Sequence, residues 1–498
     1  MAETETQDQA YVDNGVKVVQ TDVGNKDGQV KCPKCGSTDI STNAATGQLR
    51  CNFCRFEFEP QKLEMETDIS KLSGTTIGSG AQDIVADTKD QITLKCSSCG
   101  AEVVIDTASA NQARCHWCRN TLSLNQQIPN GAIPDMVLAF KVKKDEAKKA
   151  IESFVGKRKF YAHPKFRQEF TTNNIMGVYF PYMVVDLNAH SHLTGLGEHQ
   201  TRSYSEGSGE HRVTYYDADL YQVGRDFDLT IHGLSIESNK DRLDTTNKTK
   251  TNNIINSIMP FDVENSVKYD SNYLKGFTSE RRDSNITELT PIITERAKDI
   301  ARFSANASLK NYDRGVSWQS EQLDIKGQQW KAAYLPVWLY SYQEDKGDSK
   351  LLHYVAVNAR TKESMGSVPI YLPKLFLFAF LVELLGIFGF IKLDFDYDFL
   401  LLLVGPLYFF YIYTKYRNQN ARDQYETETK TNVTNLKTMD QFIEHRKRLR
   451  NSKIENQNNT TVRGASMNLK KKTGLGLDLN LKNFAADQLS SITDQFLK

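Results

Sequence analysis

Two long apolar runs dominate the hydrophobic pattern of the chain. They are LFLFAFLVELLGIFGFI, residues 375–391, and FLLLLVGPLYFFYIY, residues 399–413. Each approaches the roughly 20 residues that span a bilayer as a helix, and leucine and phenylalanine occupy every face. The alternative is the core hairpin of a soluble domain. We predict a two-helix transmembrane hairpin over residues 375–414.

Residues 131–370 alternate aromatic and β-branched runs with turn residues, which predicts a β-rich α+β domain. MVLAFKV, residues 136–142, is typical of a strand, and residues 289–308 of an amphipathic helix. The pattern over 144–160 predicts another helix. Its apolar face comprises Ala147, Ile151, Phe154 and Val155.

An internal repeat is visible within this domain. GVYFPYMVVD, residues 177–186, shares a Tyr-x-Pro core with AYLPVWLYS, residues 333–341. We interpret the two segments as equivalent β-units of a duplicated domain. Pro181 and Pro336 are expected at strand starts or edges, where a missing N–H costs no ladder bond.

All eight cysteines fall into four C-x-x-C pairs, and each pair has a twin after fifteen residues. This spacing predicts two zinc ribbons, residues 31–60 and 95–125, each closing a structural zinc ion with four thiolates. A disulfide framework and a thioredoxin-like redox motif fit the spacing less well. The predicted ligands of the two zinc ions are Cys32, Cys35, Cys51 and Cys54, then Cys96, Cys99, Cys115 and Cys118.

Several neighbours of the cysteines carry expectations of their own. Gly36 and Gly100 follow the first pair of each ribbon, where a positive φ aims backbone N–H groups at sulfur. Phe53 and Trp117 are expected to cover the metal sites, although an exposed ring would suit a base or a peptide. His116 is expected to be exposed.

Charge limits the range of partners. The chain has 62 lysines and arginines against 61 aspartates and glutamates, and each ribbon is itself near neutral. Because phosphate contacts require clustered positive charge, protein contact or a structural spacing role is favoured over binding of DNA or RNA. Residues 1–30 lack a secretory pattern and are predicted disordered, and residues 61–94 are predicted to be a flexible linker.

His190 and His192 share one face of a predicted strand, as a metal pair would. The alternative is the exposed polar face of a hairpin. His199, His211 and His232 lie nearby, but no catalytic triad, paired acids or zinc-protease motif accompanies them. We therefore predict that the protein is not an enzyme.

Charges beside the apolar runs predict their orientation. Lys374 precedes the first run and Lys415 follows the second, while the connecting KLDFDYD is acidic. The positive-inside rule then places both termini in the cytoplasm of a two-span cell-membrane protein. Glu383 inside the first run is costly in lipid and is a candidate for a helix-packing or oligomer contact.

The tail, residues 415–498, holds 16 basic and 9 acidic residues and is predicted to be mostly disordered. Its densest basic cluster could attract anionic lipid. Alternating leucines and a helical apolar pattern near the end suggest docking elements for a protein partner. The candidate membrane or partner residues are Arg446, Lys447, Arg448, Leu475, Leu477, Leu489, Ile492 and Phe496.

The order of these parts resembles a known bacterial family. Tandem C-x2-C ribbons, AFKVKKDEAKKAIESF, GVYFPYMVVD, KYDSNYLKGF and LPVWLYSYQ are similar to TFIIB-type zinc-ribbon-containing membrane proteins, sometimes labelled as related to the primosomal helicase. The resemblance covers roughly residues 95–415. It implies partners among phage-shock and SPFH-type membrane scaffolds, whereas helicase motifs are absent from the chain.

These patterns lead to one functional prediction with two alternatives. We expect a cytoplasm-facing membrane scaffold or adaptor whose ribbons and β-rich domain hold protein partners, in a membrane-stress response. The first alternative is a membrane-tethered nucleic-acid-binding protein. The second is an enzyme with an unrecognised site in residues 131–370.

Overall fold

A computed structural model of the chain describes most of residues 10–450. The described ranges are 10–13, 16–19, 31–37, 39–42, 48–63, 68–82, 91–96, 102–106, 113–116, 121–122, 127–128, 134–207, 213–239, 258–274, 276–280, 282–346, 349–392, 403–416 and 429–450. The chain divides into two compact units, residues 1–464 and 465–498, and every described residue belongs to the first.

Strands dominate the described residues. In chain order they are β1 Ala10–Asp13, β2 Val16–Val19, β3 Ile40–Thr42, β4 Leu49–Cys51, β5 Glu57–Phe58, β6 Gly74–Gly78, β7 Gln91–Lys95, β8 Glu102–Asp106, β9 Ala113–Arg114, β10 Thr121–Leu122, β11 Gln127–Ile128, β12 Met136–Val137, β13 Met176–Glu206, β14 Val213–Glu237, β15 Val267–Lys268, β16 Thr278–Glu280, β17 Gly315–Lys346, β18 Ser349–Asn358, β19 Ser364–Gly366 and β20 Lys430–Arg450. The helices are α1 Lys144–Gly156, α2 Pro164–Glu169, α3 Ile286–Ala305, α4 Leu372–Lys392 and α5 Val404–Tyr416.

One large curled sheet organises the fold, which confirms a β-rich multidomain chain with a few helices. Fifteen of the described strands belong to it, and a two-stranded and a three-stranded sheet stand apart. Its largest part is built from four very long strands in the order β17, β13, β14 and β20, all antiparallel to their neighbours, with β20 on the outside. Such lengths are several times the usual five or six residues of a strand.

Alternation of side chains gives the long strands a buried and a polar face. Leu193, Phe227 and Leu229 point to the buried face, where the predicted amphipathic helix α3 packs against them. The residues between them point to the opposite face, because successive side chains alternate across a strand. The prediction of a helix over 289–308 is confirmed in kind, with bounds three residues earlier.

The prediction for α1 is also confirmed. Its buried residues are the four that the sequence pattern assigns to the apolar face, Ala147, Ile151, Phe154 and Val155. They join a core cluster with Trp338 and other aromatic residues of β17 and with Val355 and Val357 of β18. The predicted strand over 136–142 is shorter, since only Met136 and Val137 pair as β12.

The two Tyr-x-Pro segments lie directly opposite each other on neighbouring strands. Tyr179 of β13 pairs with Pro336 of β17, and Pro181 pairs with Tyr334. The expectation that both prolines mark strand starts or edges is wrong, because they lie inside central strands. Neither proline needs an N–H for the ladder between β13 and β17, because the carbonyl of each faces away from that ladder. The Pro181 carbonyl accepts a hydrogen bond from Ser238 N–H, and the Pro336 carbonyl accepts one from Ala359 N–H. The duplication itself stays a prediction.

The expectations of disorder over 1–30 and of a flexible linker over 61–94 are wrong for their described parts. β1 and β2 form a hairpin, and β2 and β17 flank β6 as parallel neighbours. The side-chain amide of Asn188 also donates to the carbonyls of Ser70 and Leu72 at 2.9 and 3.0 Å. Small polar residues such as those of GTTIG form a strand here because a neighbouring strand supplies the hydrogen bonds, not because of their own pattern.

The second predicted ribbon is not a separate module. Its hairpin, β7 and β8, extends the large sheet because Val103 and Val104 pair with Glu280 and Ser279 of β16. The first ribbon keeps its own three-stranded sheet, β3, β4 and β5.

The prediction that residues 415–498 are mostly disordered is wrong for residues 430–450. They form β20, which pairs with β14 from His232↔Lys430 to Tyr215↔Arg450. A polar and largely exposed strand of this kind leaves no apolar signal in the sequence, because its stability comes from the ladder and from ion pairs. Residues 451–498 lie outside the described part of the chain.

Candidate metal centre

Two matching turns build the metal centre of the first ribbon. Gly36 N–H donates to the Cys32 carbonyl, and Arg55 N–H donates to the Cys51 carbonyl, both at 2.8 Å. Gly36 has φ +73° and Arg55 has φ +59°, so both turns close in the left-handed region. The prediction of a positive φ at Gly36 is confirmed, whereas the second turn reaches the same region with an arginine, at some conformational cost.

The four thiols converge on one point. The sulfur atoms of Cys32, Cys35, Cys51 and Cys54 all lie within 4.8 Å of one another, and the Cys32–Cys54 and Cys35–Cys51 Sγ distances are both 3.6 Å. A tetrahedral zinc ion with Zn–S bonds of about 2.3 Å requires sulfur separations of roughly 3.8 Å. The cluster could therefore hold one metal ion, and four thiolates would leave no open position for a water.

The surroundings of the sulfurs support a cation. The backbone N–H of Cys54, 3.5 Å from Cys51 Sγ, is the main reason that the pKa of Cys51 falls to about 6. The N–H of Ser37 favours the Cys35 thiolate in the same way, but burial and the three neighbouring thiols outweigh it and raise the pKa of Cys35 to about 12. Four adjacent sulfurs cannot all ionise without a counter-charge, so the tetrathiolate state needs a divalent ion.

Phe53 does not cover the metal centre. Its side chain is 80% exposed at the tip of the second turn, while Phe56 beside it is 40% exposed and stacks on Phe58. The expectation that the ring is buried is therefore wrong. The knuckle is too small to enclose a phenyl group, since the core of the ribbon is filled by Ile40 and Leu49, which pack towards Tyr273 and Leu274 of the main domain.

The second cysteine quartet is described only in part. Cys96 and Cys115 are buried in the core beneath β13 and β17, and Cys99 and Cys118 lie outside the described residues. A second zinc ion therefore stays a prediction. His116 is buried, with Nε2 2.9 Å from the Glu280 carboxylate, so the expectation of an exposed histidine is wrong. It is buried because this hairpin packs against the large sheet.

The histidine pair lies on the polar face of the long strands, beside two carboxylates that the sequence spacing did not reveal. His190 faces Asp228 at 2.9 Å and Asp226 at 3.2 Å, and His192 Nδ1 is 3.3 Å from Asp226. Lys326 also binds Asp228 at 2.6 Å. Asp228 and Asp226 raise the pKa of His190, so these groups form an ion-pair ladder in which the carboxylates already have cationic partners. His199 and His232 are separate from it, and His211 is outside the described residues.

Among the described helices, one is long and apolar enough to cross a membrane, by length and composition. In α4 the window Leu372–Gly389 has a mean hydropathy of 1.9 and only 17% of it is buried. The helix that follows it, α5, has only 13 residues, which is too short to span a bilayer. The described helices therefore do not support the prediction of two spans with both termini in the cytoplasm. The outward side chains of α4 are Phe376, Leu377, Phe380, Leu381, Leu384, Leu385, Ile387 and Phe388.

The two helices pack antiparallel through Glu383. Its carboxylate accepts a bond of 2.7 Å from Gly405 N–H in the first turn of α5. A Cβ on Gly405 would lie 2.6 Å from the Glu383 Cβ and 2.7 Å from the Ala379 carbonyl oxygen. The carboxylate thus satisfies a helix N-terminus that has no intrahelical partner, which accounts for an acidic residue in an apolar helix.

The base of the helix pair is fixed to the β-rich domain. Tyr161 contacts Tyr408 with an Oη–Oη distance of 2.6 Å, and its N–H donates to Tyr416 Oη at 3.1 Å. Arg158 donates to the Lys415 carbonyl at 3.1 Å, and Lys374 to the Phe160 carbonyl at 2.8 Å. These contacts bring together segments more than 200 residues apart in the sequence.

The candidate tail residues divide into two groups. Arg446 binds the buried Glu198 and Arg448 binds Glu206, so both act within the chain, while Lys447 lies between them on β20. Their clustering reflects ion pairs with β13, which no local pattern could show. The other group lies outside the described residues and comprises Leu475, Leu477, Leu489, Ile492 and Phe496.

Within its described residues the protein is β-rich, with one four-cysteine cluster that could hold a metal ion and one helix suited to a membrane. Comparisons with protein-family models, curated proteins and solved structures find no match to this chain. The resemblance to zinc-ribbon membrane proteins accordingly stays a prediction.

Proposed function

We propose that the protein is a membrane-anchored adaptor that holds protein partners beside the bilayer. The observation that carries the proposal is helix α4, whose apolar surface is mostly uncovered while its first turns are fixed to the β-rich domain by Phe160, Tyr161 and Lys374. An apolar surface of this size requires a cover, and a lipid bilayer supplies it.

The metal-stapled first ribbon is the partner-facing element in this proposal. Phe53 stands 80% exposed on a turn whose geometry the metal ion would fix, so its ring is presented rigidly. Aromatic residues on rigid supports are frequent anchors of protein interfaces. The ion has a structural role, and the protein is not an enzyme.

The proposal has a finer form that follows the sequence. In it the hairpin spans the membrane twice with both termini in the cytoplasm, and a second structural zinc ion is held by the second quartet. The partners are phage-shock or SPFH-type scaffolds of the membrane-stress response, as the resemblance implies, and the hairpin also supports oligomer contacts.

Carbonate extraction and a topology reporter test the anchoring. We expect the full chain to remain in the carbonate-resistant membrane pellet. A reporter inserted in the acidic linker 393–398 should be active only outside the cytoplasm. Full release by carbonate would refute the anchor, and a cytoplasmic linker would refute the two-span form alone.

Affinity capture from detergent-solubilised membranes tests the adaptor role. Phe53→Ser should lower recovery of a captured partner about tenfold, whereas Phe303→Ser, at a ring 42% exposed on α3, should leave it unchanged. Equal recovery with both variants would exclude the ribbon as the partner-binding element.

The nucleic-acid alternative draws on the same exposed ring, because Phe53 is equally suited to stack on a base. Salt-dependent binding of single-stranded RNA or DNA that Phe53→Ser abolishes would favour it over the adaptor. We expect no such binding, because Arg50 is already paired with Glu57 and the ribbon has little net positive charge.

A further inference from the structure

A group of exposed cations surrounds the base of the helix pair. Residues 157–168, KRKFYAHPKFRQ, contain five basic and no acidic residues. We call the exposed members, with the lysine that ends α5, the basic collar. It comprises Lys157, Lys159, Lys165, Arg167 and Lys415.

The position of the collar follows from contacts rather than from sequence. Its segment is held against the residues just before α4 by an Ala162↔Ile370 bridge and by His163 N–H donating to the Pro369 carbonyl at 2.8 Å. The end of α5 reaches the same place, where Arg158 donates to the Lys415 carbonyl. Since α4 and α5 are antiparallel, the collar lies at the end of the pair where both helices join the β-rich domain.

The charges of the collar are uncompensated within the described residues. None of its five side chains forms an ion pair there, although most cations on the long strands do, including Lys326, Lys331 and Arg446. A local concentration of unpaired positive charge is unfavourable by itself and favours an anionic partner.

Aromatic residues occupy the same level. Phe160 is 52% exposed, contacts Phe378 of α4 with ring centroids 5.1 Å apart, and lies under the Lys374 ammonium at 3.7 Å. Tyr371 and Tyr411 are also exposed at this end. Aromatic rings flanked by lysine and arginine next to an apolar helix are typical of the headgroup region of a membrane.

We propose that the basic collar binds the phosphates of anionic lipid headgroups, with Phe160 placed between the headgroups and the acyl chains. This inference rests on the proposed membrane anchoring of α4. It adds a lipid preference that the helix pair alone would not have, because apolar helices bind zwitterionic and anionic bilayers alike. Each cation near an anionic surface contributes noticeably to attraction, so three of them should produce at least a tenfold preference.

Native mass spectrometry of the full-length, detergent-purified protein tests the collar. Phosphatidylglycerol and phosphatidylcholine of equal chain length are added at equal concentration, and the retained lipids are counted. We expect the wild-type protein to retain at least ~10 times as much phosphatidylglycerol as phosphatidylcholine. The triple variant Lys157→Gln, Lys159→Gln, Lys165→Gln keeps Arg167 and Lys415, so the preference should fall at least several-fold without vanishing.

Two matched variants separate charge from folding. The Lys→Arg changes at the same three positions should keep the preference, because they keep the charge. A control triple, Lys17→Gln, Lys298→Gln, Lys310→Gln, removes the same charge elsewhere and should also keep it. Loss of the preference in the control triple, or an undiminished preference in the collar triple, would overturn the inference.

The outcome is distinct from that of the anchoring experiment. A protein that resists carbonate extraction but retains both lipids equally would refute the collar and leave the anchor standing. Release by carbonate would refute the anchor and the collar with it. Displacement of the bound lipid by millimolar soluble glycerol phosphate would also refute the collar as a lipid surface, since it would then be a site for free phosphates.

Discussion

The ion pair between Arg225 and Asp440 holds β20 on the sheet, and its loss has a calculable cost. Arg225 of β14 is buried, and its guanidinium donates to both carboxylate oxygens of Asp440, to Ser308 Oγ at 2.8 Å and to the Ser308 carbonyl at 3.1 Å. It therefore joins β14, the end of α3 and β20 at one point.

Asp440→Ala removes the carboxylate and leaves the buried guanidinium with neutral acceptors only. Breaking a buried pair in this way typically costs about 3–5 kcal/mol. The Asp440 side chain is 32% exposed and Ser308 still accepts two bonds, so we expect about 2–3 kcal/mol here. Because β20 is an outer strand of the described sheet, the loss should appear as local opening of residues 430–450.

Hydrogen exchange of the detergent-solubilised protein measures this opening. Amides of β20 should exchange roughly 30- to 150-fold faster in Asp440→Ala, while those of β13 and β17 should not change. Asp440→Asn keeps one acceptor and should give a smaller increase. The double variant Arg225→Met, Asp440→Leu should exchange nearly as slowly as wild type, because no buried charge remains. If the β20 amides of Asp440→Ala exchanged at the wild-type rate, the conclusion that this ion pair holds β20 on the sheet would be refuted.

Three further outcomes follow from the geometry. Cys51→Ser should lower the zinc content of the purified protein by one equivalent, measured by elemental analysis, whereas Ser41→Ala on β3 should leave it unchanged. An unchanged zinc content in Cys51→Ser would exclude the four-thiolate site. Gly405→Ala should destabilise the helix pair by about 1–3 kcal/mol in a detergent unfolding titration, because the new Cβ would clash with Glu383 and the Ala379 carbonyl. An unchanged free energy of unfolding would contradict the close packing of the two helices. Burial opposes ionisation of Asp186, but hydrogen bonds from His232 and Lys331 outweigh it and lower the pKa to about 2 from 3.8. This contribution of about 2 kcal/mol is present above pH 4 and lost as the pH falls from 4 towards 2, so the acid sensitivity of unfolding should shrink in Asp186→Asn; an identical acid profile in the variant would refute it.

Features with a local cause could be predicted from the sequence. The four-cysteine cluster of the first ribbon follows from a spacing that two turns and a hairpin require, and the buried face of α1 follows from a helical period. The apolar surface of α4 is likewise predicted by the composition of its sequence.

Features with a distant cause could not. β6 is a strand because Gly327 lets β17 approach it, since a Cβ there would lie 2.2 Å from the Leu72 carbonyl. His116 is buried because Glu280, 164 residues later, lies beside it. The carboxylates beside His190 come from the neighbouring strand, and no separation along the chain reveals a strand register.

The connection between the helices and the sheet bears on how an adaptor of this kind would work. The helix pair is attached at its base, where Tyr161 contacts Tyr408 and Tyr416. The chain then returns to the sheet as β20, which follows β14 from His232 to Tyr215. A force on the helix pair is thus opposed by the aromatic contacts at the base and by the ion pairs of β20 along the long strands. Loss of the Arg225–Asp440 pair would still leave β20 its ladder with β14 and the Arg446–Glu198 and Arg448–Glu206 ion pairs. Partner capture by the ribbon should consequently survive Asp440→Ala in detergent.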